Sequence, residues 1–403
     1  MSETPQDETS QQPKPRSRSR LAWSITAIAI IVVAVVVAIS LRAGGGSTAS
    51  DDATSSATAV EQHEVTITDE AGREVQIEAP VQRAYASYSY TAEFIRALGG
   101  GSSIVAIDSS YDPAQSDTNA DYWGAFADLP VVSTTTTSKD IDYDALIAAD
   151  PEVVFFLSNE DYETAASTLE PFGIQVIVVT TSDPSNFQQD LDILAEAYDA
   201  SDRAEQVQSY YDDITEQLDT RLAGTSAVDV YWENGSADTS VASGSVWQNL
   251  IELAGGRNIF EDIDFDDPDQ NPEGYNFATP VDPAAILERD PAYVFRLEIS
   301  SSVSGQTPFD QDYADGVLDE LTSRAGWSDL TAVKNKDVFV LNNFLISALN
   351  KQLGALTVAA LLHPDEFADL DLDEYLHTWV VDFQGVSEAD YHAASEYYYQ
   401  YQG

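Results

Sequence analysis

The chain has 403 residues, with 69 acidic side chains against 18 basic ones, a formal net charge of −51 and no cysteine. The missing cysteine excludes disulfides, thiolate metal centres, a cysteine nucleophile and a lipidated-cysteine anchor. So negative a surface repels phosphates and anionic lipid headgroups, which excludes nucleic acid as a partner.

Residues 1–20 are polar and carry Lys14, Arg16, Arg18 and Arg20. The stretch that follows, "LAWSITAIAIIVVAVVVAISL" at 21–41, has no charge. At about 1.5 Å per residue it reaches roughly 30 Å, the thickness of a bilayer core. Basic residues before it predict a cytoplasmic tail and everything later outside. The expectation is an uncleaved single-pass transmembrane anchor; a cleavable signal peptide is the rival, with a shorter apolar region. Residues 42–63, rich in Gly, Ser and Thr, read as a flexible linker.

From residue 64 the pattern alternates. "EVTITDEAGREVQI" (64–77) predicts a hairpin turning at 69–72. Then come a strand at "RAYAS", a helix at 91–98, strand "SIVAID", a helix at 142–149, a strand at 153–157, a helix at 165–172 and strand "QVIVV". Strands alternating with helices predict a mostly parallel sheet over 64–185. Between 186 and 224 no strand is signalled. Ala204, Val207, Tyr211, Ile214, Leu218 and Leu222 recur at helical spacing, predicting one long amphipathic helix as a strut. The alternation resumes from 225 to 403: "VDVYW", then helices at 246–254 and 283–289, a strand at 293–297, a helix at 314–324, strand "DVFVL" and a helix at 352–362. The acidic, aromatic tail 371–403 is expected to be helical.

The two halves echo each other. "DYDALIAADPEVVFFL" (142–157) and "DPAAILERDPAYVFRL" (282–297) match at a shift of 140 residues, and "FIRALGG" (94–100) resembles "LIELAGG" (250–256). Each first-pair copy reads as a helix, a stop at Asp-Pro, since proline pushes its predecessor out of the α region, and a buried strand. The expected fold is therefore α/β: two Rossmann-like lobes (64–185 and 225–403) bridged by one long helix (within 186–224), preceded by the transmembrane helix.

The stretches "VTITDEAGREVQIEAPVQRAYAS", "TAEFIRALGGGSSIVAID", "DYDALIAADPEVVFF", "LEPFGIQVIVV", "NLIELAGGRNIF", "VDPAAILERDPAYVF" and "GWSDLTAVKNKDVFVLN" follow one another in family order. Together they resemble the metal-chelate class of ABC-transporter substrate-binding proteins, which bind ferric siderophores, haem or cobalamin. The resemblance implies a ligand held between the lobes, an ABC permease with its ATPase as partners, a monomeric binding unit outside the membrane, and no cofactor or enzymatic activity. The expected ligand is a ferric siderophore or related metal chelate. Family members present one acid on each lobe to permease arginines. Here that position is Asp144 in the first lobe but Ala284 in the second, where Asp282 or Glu288 could substitute.

In a two-lobed α/β binder, ligands meet the loops at the C-terminal ends of the parallel strands. That rule selects Tyr88, Ser89, Tyr90 and Tyr111 in the first lobe, with Trp123 where the family runs a cleft-edge loop. In the second it selects Trp232, Trp247, Arg296 and Phe344, with Tyr275 on a nearby loop. Aromatic rings suit flat, partly apolar chelates; the same rings also serve simply as cover for the lobes. Arg296 interrupts an apolar strand and needs a carboxylate, such as Glu298, or an anionic ligand.

The histidines, His63, His363, His377 and His392, fall on no predicted cleft loop, so a chelated metal is expected rather than a bare ion. The loop "DIDFDDPDQNPE" (262–273) fails the calcium-loop template: Asp267 stands where glycine is required, and Pro268 and Pro272 fall within it. No G-x-S-x-G, H-E-x-x-H or phosphate-loop motif occurs. A surface adhesion module and an exported glycan hydrolase are the competing readings.

Overall fold

The computed structural model describes residues 61–403 apart from 115–119, 135–139, 182–183, 242–244, 265–266, 268–277, 300–305, 309 and 347. The basic tail, the apolar span 21–41, most of the linker, most of the 262–273 loop and Tyr275 lie outside the described residues. Among the described residues no helix is long and apolar enough to cross a membrane.

A hairpin comes first, β1 (His63–Thr68) and β2 (Glu74–Ala79), turning through Gly72 at φ 74°. Its buried Asp69 accepts from the backbone N–H groups of Arg73 (2.9 Å) and Val178 (3.1 Å), fastening the turn to the sheet beneath. That sheet holds β3 (Ala84–Ala86), β4 (Ile104–Asp108), β5 (Val131–Ser133), β6 (Val153–Leu157) and β7 (Gln175–Val179). All are parallel, in the order β5-β4-β3-β6-β7. The crossovers carry α1 (Ser89–Ala97), α2 (Ala120–Trp123), α3 (Tyr143–Ala148) and α4 (Tyr162–Leu169). Every residue of β6 is buried, as covering on both faces requires.

Two helices follow, α5 (Phe187–Tyr198) and α6 (Ser201–Arg221), divided by Asp199 in the left-handed region at φ 50°. At 21 residues α6 is the longest helix described, roughly 30 Å at 1.5 Å per residue. It buries Val207, Tyr210, Tyr211, Ile214 and Leu218 and begins three residues before the expected start.

The second sheet has four parallel strands, β8 (Val228–Asn234), β10 (Gly256–Asn258), β12 (Tyr293–Glu298) and β13 (Val338–Asn342), and an antiparallel edge, β14 (Tyr398–Gln400), in the order β10-β8-β12-β13-β14. A small ladder pairs β9 (Thr239–Ser240) with β11 (Thr279–Pro280). Helices α7 (Val246–Leu253), α8 (Pro283–Arg289), α9 (Gln311–Thr322) and α10 (Thr331–Asn335) cross between strands, and α11 (Lys351–Leu362) packs on α6 and α7.

The repeat in sequence is a repeat in structure. β4-β3-β6-β7 and β10-β8-β12-β13 are the same parallel arrangement in the same chain order. The matched Asp150 and Asp290, each before proline, both adopt positive φ, 55° and 40°. The matched Gly99 and Gly255 close α1 and α7 at φ 83° and 74°, a conformation that costs glycine little.

The tail departs from expectation. Its helical parts are α12 (Leu372–His377), a π-helical turn (Thr378–Phe383) and a 3-10 turn (Ala394–Glu396), and the Tyr-rich end becomes β14 on the free edge of β13. Aromatic residues fit a pleated surface, and an unpaired edge offers backbone partners. Before reaching β13 the tail crosses to the first half of the molecule. Arg96 of α1 donates through Nε (2.8 Å) and Nη2 to the carbonyl of Gln384, whose side chain donates to the carbonyl of Glu93 (3.1 Å). Arg203 of α6 donates to the carbonyl of Asp382, and Tyr210 of α6 to that of Tyr375 (3.2 Å).

One apolar core is shared between the two sheets. It runs from Ile67, Phe94 and Phe155 through Tyr211 and Ile214 of α6 to Trp232, Phe295 and Trp379. Each sheet has a separate cluster on its other face, around Val154 and Phe156 in one and Val294 and Trp327 in the other.

Candidate functional site

The C-terminal edge of the first sheet gathers polar groups. β3 ends at Ala86 and passes through Ser87 and Tyr88 into α1. Tyr88 is half-buried and extended (φ −149°), and its ring meets that of Tyr90 edge-on at 4.8 Å. Burial raises the Tyr88 hydroxyl above its ordinary pKa, and the charges of Asp108, Glu160 and Glu93 act in the same sense. The backbone N–H of Ser89 donates to Ser110 Oγ at 3.0 Å, tying α1 to the loop after β4.

Three carboxylates stand at the ends of β4, β5 and β6, strands that lie on both sides of β3. Asp108, the last residue of β4, is fully buried; its Oδ1 accepts from the N–H of Ser110 (2.6 Å) and from the Ser110 hydroxyl, while Oδ2 has no hydrogen-bond partner. Glu160, after β6, accepts from the Ser87 hydroxyl and from the N–H of Leu157 at 2.8 Å. Asp140, between β5 and α3, accepts from Ser133 Oγ at 3.0 Å. Burial pushes the Asp108 carboxyl up to about 7; the Ser110 bonds pull it down, and the charges of Glu160 and Asp140 raise it further.

Deeper in, Glu93 of α1 is buried, accepts from Tyr122 Oη at 3.0 Å and sits beside Arg96. Burial raises its carboxyl to about 7 against the opposing influence of Tyr122 and Arg96. The ring of Tyr122 touches Phe344, which follows β13, at 5.3 Å, and Phe344 touches Tyr397 at 5.4 Å, so an aromatic file joins the two halves.

At the strand ends of the second sheet the charged groups engage one another, while the buried Asn234 Oδ1 at the end of β8 has no hydrogen-bond partner. Glu233 in β8 is fully buried and accepts from Arg296 (2.5 Å), from Arg324 (2.7 and 3.0 Å), from Tyr231 Oη (3.1 Å) and from the N–H of Asp238 (2.8 Å). Arg296 also donates to Glu298 (2.8 Å) and to the carbonyl of Gly235 (2.9 Å). Burial lowers the Arg296 pKa, but Glu233 and Glu298 outweigh it and the net shift is upward.

The residues selected from sequence thus fall into separate places. Tyr88, Ser89 and Tyr90 lie together at the first sheet's strand ends. Tyr111 and Trp123 are fully buried against each other at 5.4 Å, with the Tyr111 hydroxyl donating to the carbonyl of Ala86. Trp232 is fully buried against Phe295 (5.5 Å); Trp247 and Phe344 are buried too. A ligand reaches these five rings only if they are first uncovered. Asp144 is exposed on the first turn of α3, with Ala284 exposed at the matching place on α8. Sequence reasoning passed over Asp108, Glu160, Glu93 and Gln384; the first ends the predicted strand "SIVAID", so the strand-end rule could have found it. Among the described residues no group of three or more His, Asp or Glu side chains is placed to hold a metal ion.

A family model described as periplasmic binding protein matches residues 84–344, well over half of the chain. No curated protein matches the sequence. Among solved structures, the chain is similar to a TroA-like periplasmic binding protein, FepB, from Veillonella parvula: TM-score 0.67, 21% identity, covering 83% of this chain and 99% of that one. It is similar also to Haemophilus influenzae MolA bound to molybdate (TM-score 0.61, 18% identity, 82% and 99% covered). A third likeness is Helicobacter pylori CeuE with Ni(II) bound (TM-score 0.57, 16% identity, 81% and 98% covered). At these identities the likenesses establish the fold.

Proposed function

Since this chain belongs to the periplasmic binding protein family, the extracytoplasmic substrate-binding components of ABC importers and not enzymes, we propose that it captures a metal chelate, a ferric siderophore, between its two lobes and delivers it to a permease. The observation that carries the reading is the strand-end edge of the first sheet, where Tyr88, Ser89 and Tyr90 stand together with no metal-ligating nest among the described residues. Half-buried tyrosines offer flat apolar contact plus a hydroxyl, which suits an organic chelate better than a naked ion. Tyr275 extends the proposed lining from a nearby loop, and Tyr111, Trp123, Trp232, Trp247, Arg296 and Phe344 join it only where ligand entry displaces the side chains that cover them. Quenching of intrinsic tryptophan fluorescence by ferric siderophores, haemin and cobalamins tests this. Response to a ferric siderophore is expected; haemin or cobalamin alone would reassign the ligand, and tight binding of free Ni(II) or molybdate with a silent panel would replace the ligand class.

Two further parts of the reading rest on the sequence. Residues 21–41 anchor the binding unit to the membrane; protease applied to intact cells should then release a fragment beginning within 42–63, and a wholly cytosolic protein would refute it. Asp144 docks the permease on the first-lobe side. Asp144→Arg should lower uptake several-fold and leave ligand affinity unchanged; unaltered uptake would remove it from the docking surface.

A further inference from the structure

The chain has nine arginines after residue 63, and each is engaged within the fold. Arg73, Arg83, Arg221, Arg257 and Arg289 are paired with acids of their own neighbourhoods. Arg96 and Arg203 hold the carbonyls of Gln384 and Asp382 in the tail. Arg296 and Arg324, the two at the strand ends of the second sheet, converge on Glu233, with Glu298 and Glu320 taking further N–H groups. Of the lysines, Lys334 and Lys336 precede β13 and so lie at the opposite end of the strands from the site; Lys351 opens α11, and Lys139 lies outside the described residues. Anionic ligands are held by guanidinium forks, and no arginine here is left to supply one.

The opposite charge is present. Asp108 and Glu160, at the ends of β4 and β6, act on Tyr88, Asp140 follows β5, and Asp108 Oδ2 is buried with no hydrogen-bond partner. The Asp108 carboxyl lies well above its ordinary range, and the charged neighbours contributing to that are themselves negative, which marks the sign of the local field. A negative strand-end edge on a protein of net charge −51 attracts cations over a Debye length and repels anions.

We infer that the ligand is a chelate of positive or zero net charge, such as a ferric trihydroxamate bearing a free ammonium group, and not an anionic catecholate or carboxylate complex. This rests on reading the strand-end cleft as a metal-chelate site. The test compares three ferric complexes on the full chain by tryptophan quenching: a monocationic open-chain trihydroxamate, the same molecule with its amine acetylated to neutrality, and a trianionic tris-catecholate. The cationic complex should bind tightest. Acetylation should weaken it on the order of tenfold, the advantage should shrink as salt is raised, and the trianionic complex should fail to compete. At pH 8, where the Asp108 carboxyl is ionised, Asp108→Asn should narrow the gap between the cationic and acetylated forms; the salt dependence of the unaltered protein gives the same information if that variant does not fold. Tight binding of the trianionic complex, or equal affinity for the amine and its acetylated form at every salt concentration, would overturn the charge inference and leave the chelate reading intact. Silence of all three would overturn both.

Discussion

Glu93 illustrates how one side chain couples the site to the fold. Its carboxyl is buried between Tyr122 and Arg96, and burial holds its pKa near 7 against 4.5 in an unfolded chain. Between those values the folded protein keeps a proton that the unfolded chain releases. The contribution of Glu93 to stability is therefore fully present below pH 4.5, falls as pH rises through the window, and stays at its lower level above about 7. Asp108 acts with the same sign. Glu93→Gln keeps an acceptor for Tyr122 and removes the titration. Urea unfolding should show a shallower fall in stability with pH, and at pH 8 a variant more stable than the parent by on the order of 3 kcal/mol. Equal stabilities at pH 8 would mean that Arg96 already keeps Glu93 ionised. At this scale the sequence was only partly readable. That Arg296 requires a carboxylate or an anionic ligand follows from its place in an apolar strand, and it has Glu233 and Glu298. Whether an aromatic at a strand end faces a ligand or fills a core does not follow, because the residue type suits both; Trp123 and Trp232 are fully buried.

Among the elements, α6 and the tail do the same mechanical job by different means. α6 contains neither proline nor glycine, so it has none of the usual causes of kinking. The tail leaves α11, grips α6 and α1 through Arg203 and Arg96, and returns to pair with β13. The two halves are thus tied twice, and the angle between them is expected to be narrowly set. Because the chain lacks cysteine, Glu163→Cys and Glu288→Cys, both at exposed positions, can carry a pair of spin labels. A protease site inserted at the exposed Gly385, cut after folding, should broaden the label–label distance distribution. An unchanged width would show that α6 and the shared core suffice without the tail. The helix–Asp-Pro–strand repeat was legible because it is local: periodicity, then proline, then an apolar run. The course of the tail was not. Its last strand pairs with residues about sixty positions earlier, as Leu341 opposite Tyr398 shows, and no local pattern encodes a distant free edge.

For the molecule as a whole, the decisive feature is that the core between the sheets is shared. Large separation of the halves would expose Trp232, Phe295 and Trp379 to water, at roughly 25 cal/mol for each Å² of apolar surface uncovered, so motion of the halves against each other is expected to be small. The position of β14 bears also on how the protein is made. The tail can settle on its path only after α1 and α6 offer Arg96 and Arg203 as anchors, and the second sheet gains its fifth strand only after the tail has settled. A chain emerging N-terminal end first would thus complete its first sheet while β13 still has a bare edge, and that edge is a template for pairing with another chain. The vulnerable species during biogenesis is therefore a chain whose residues 398–400 have not yet joined β13, and the acidic charges spread along 365–396 keep such neighbours apart until the seam closes.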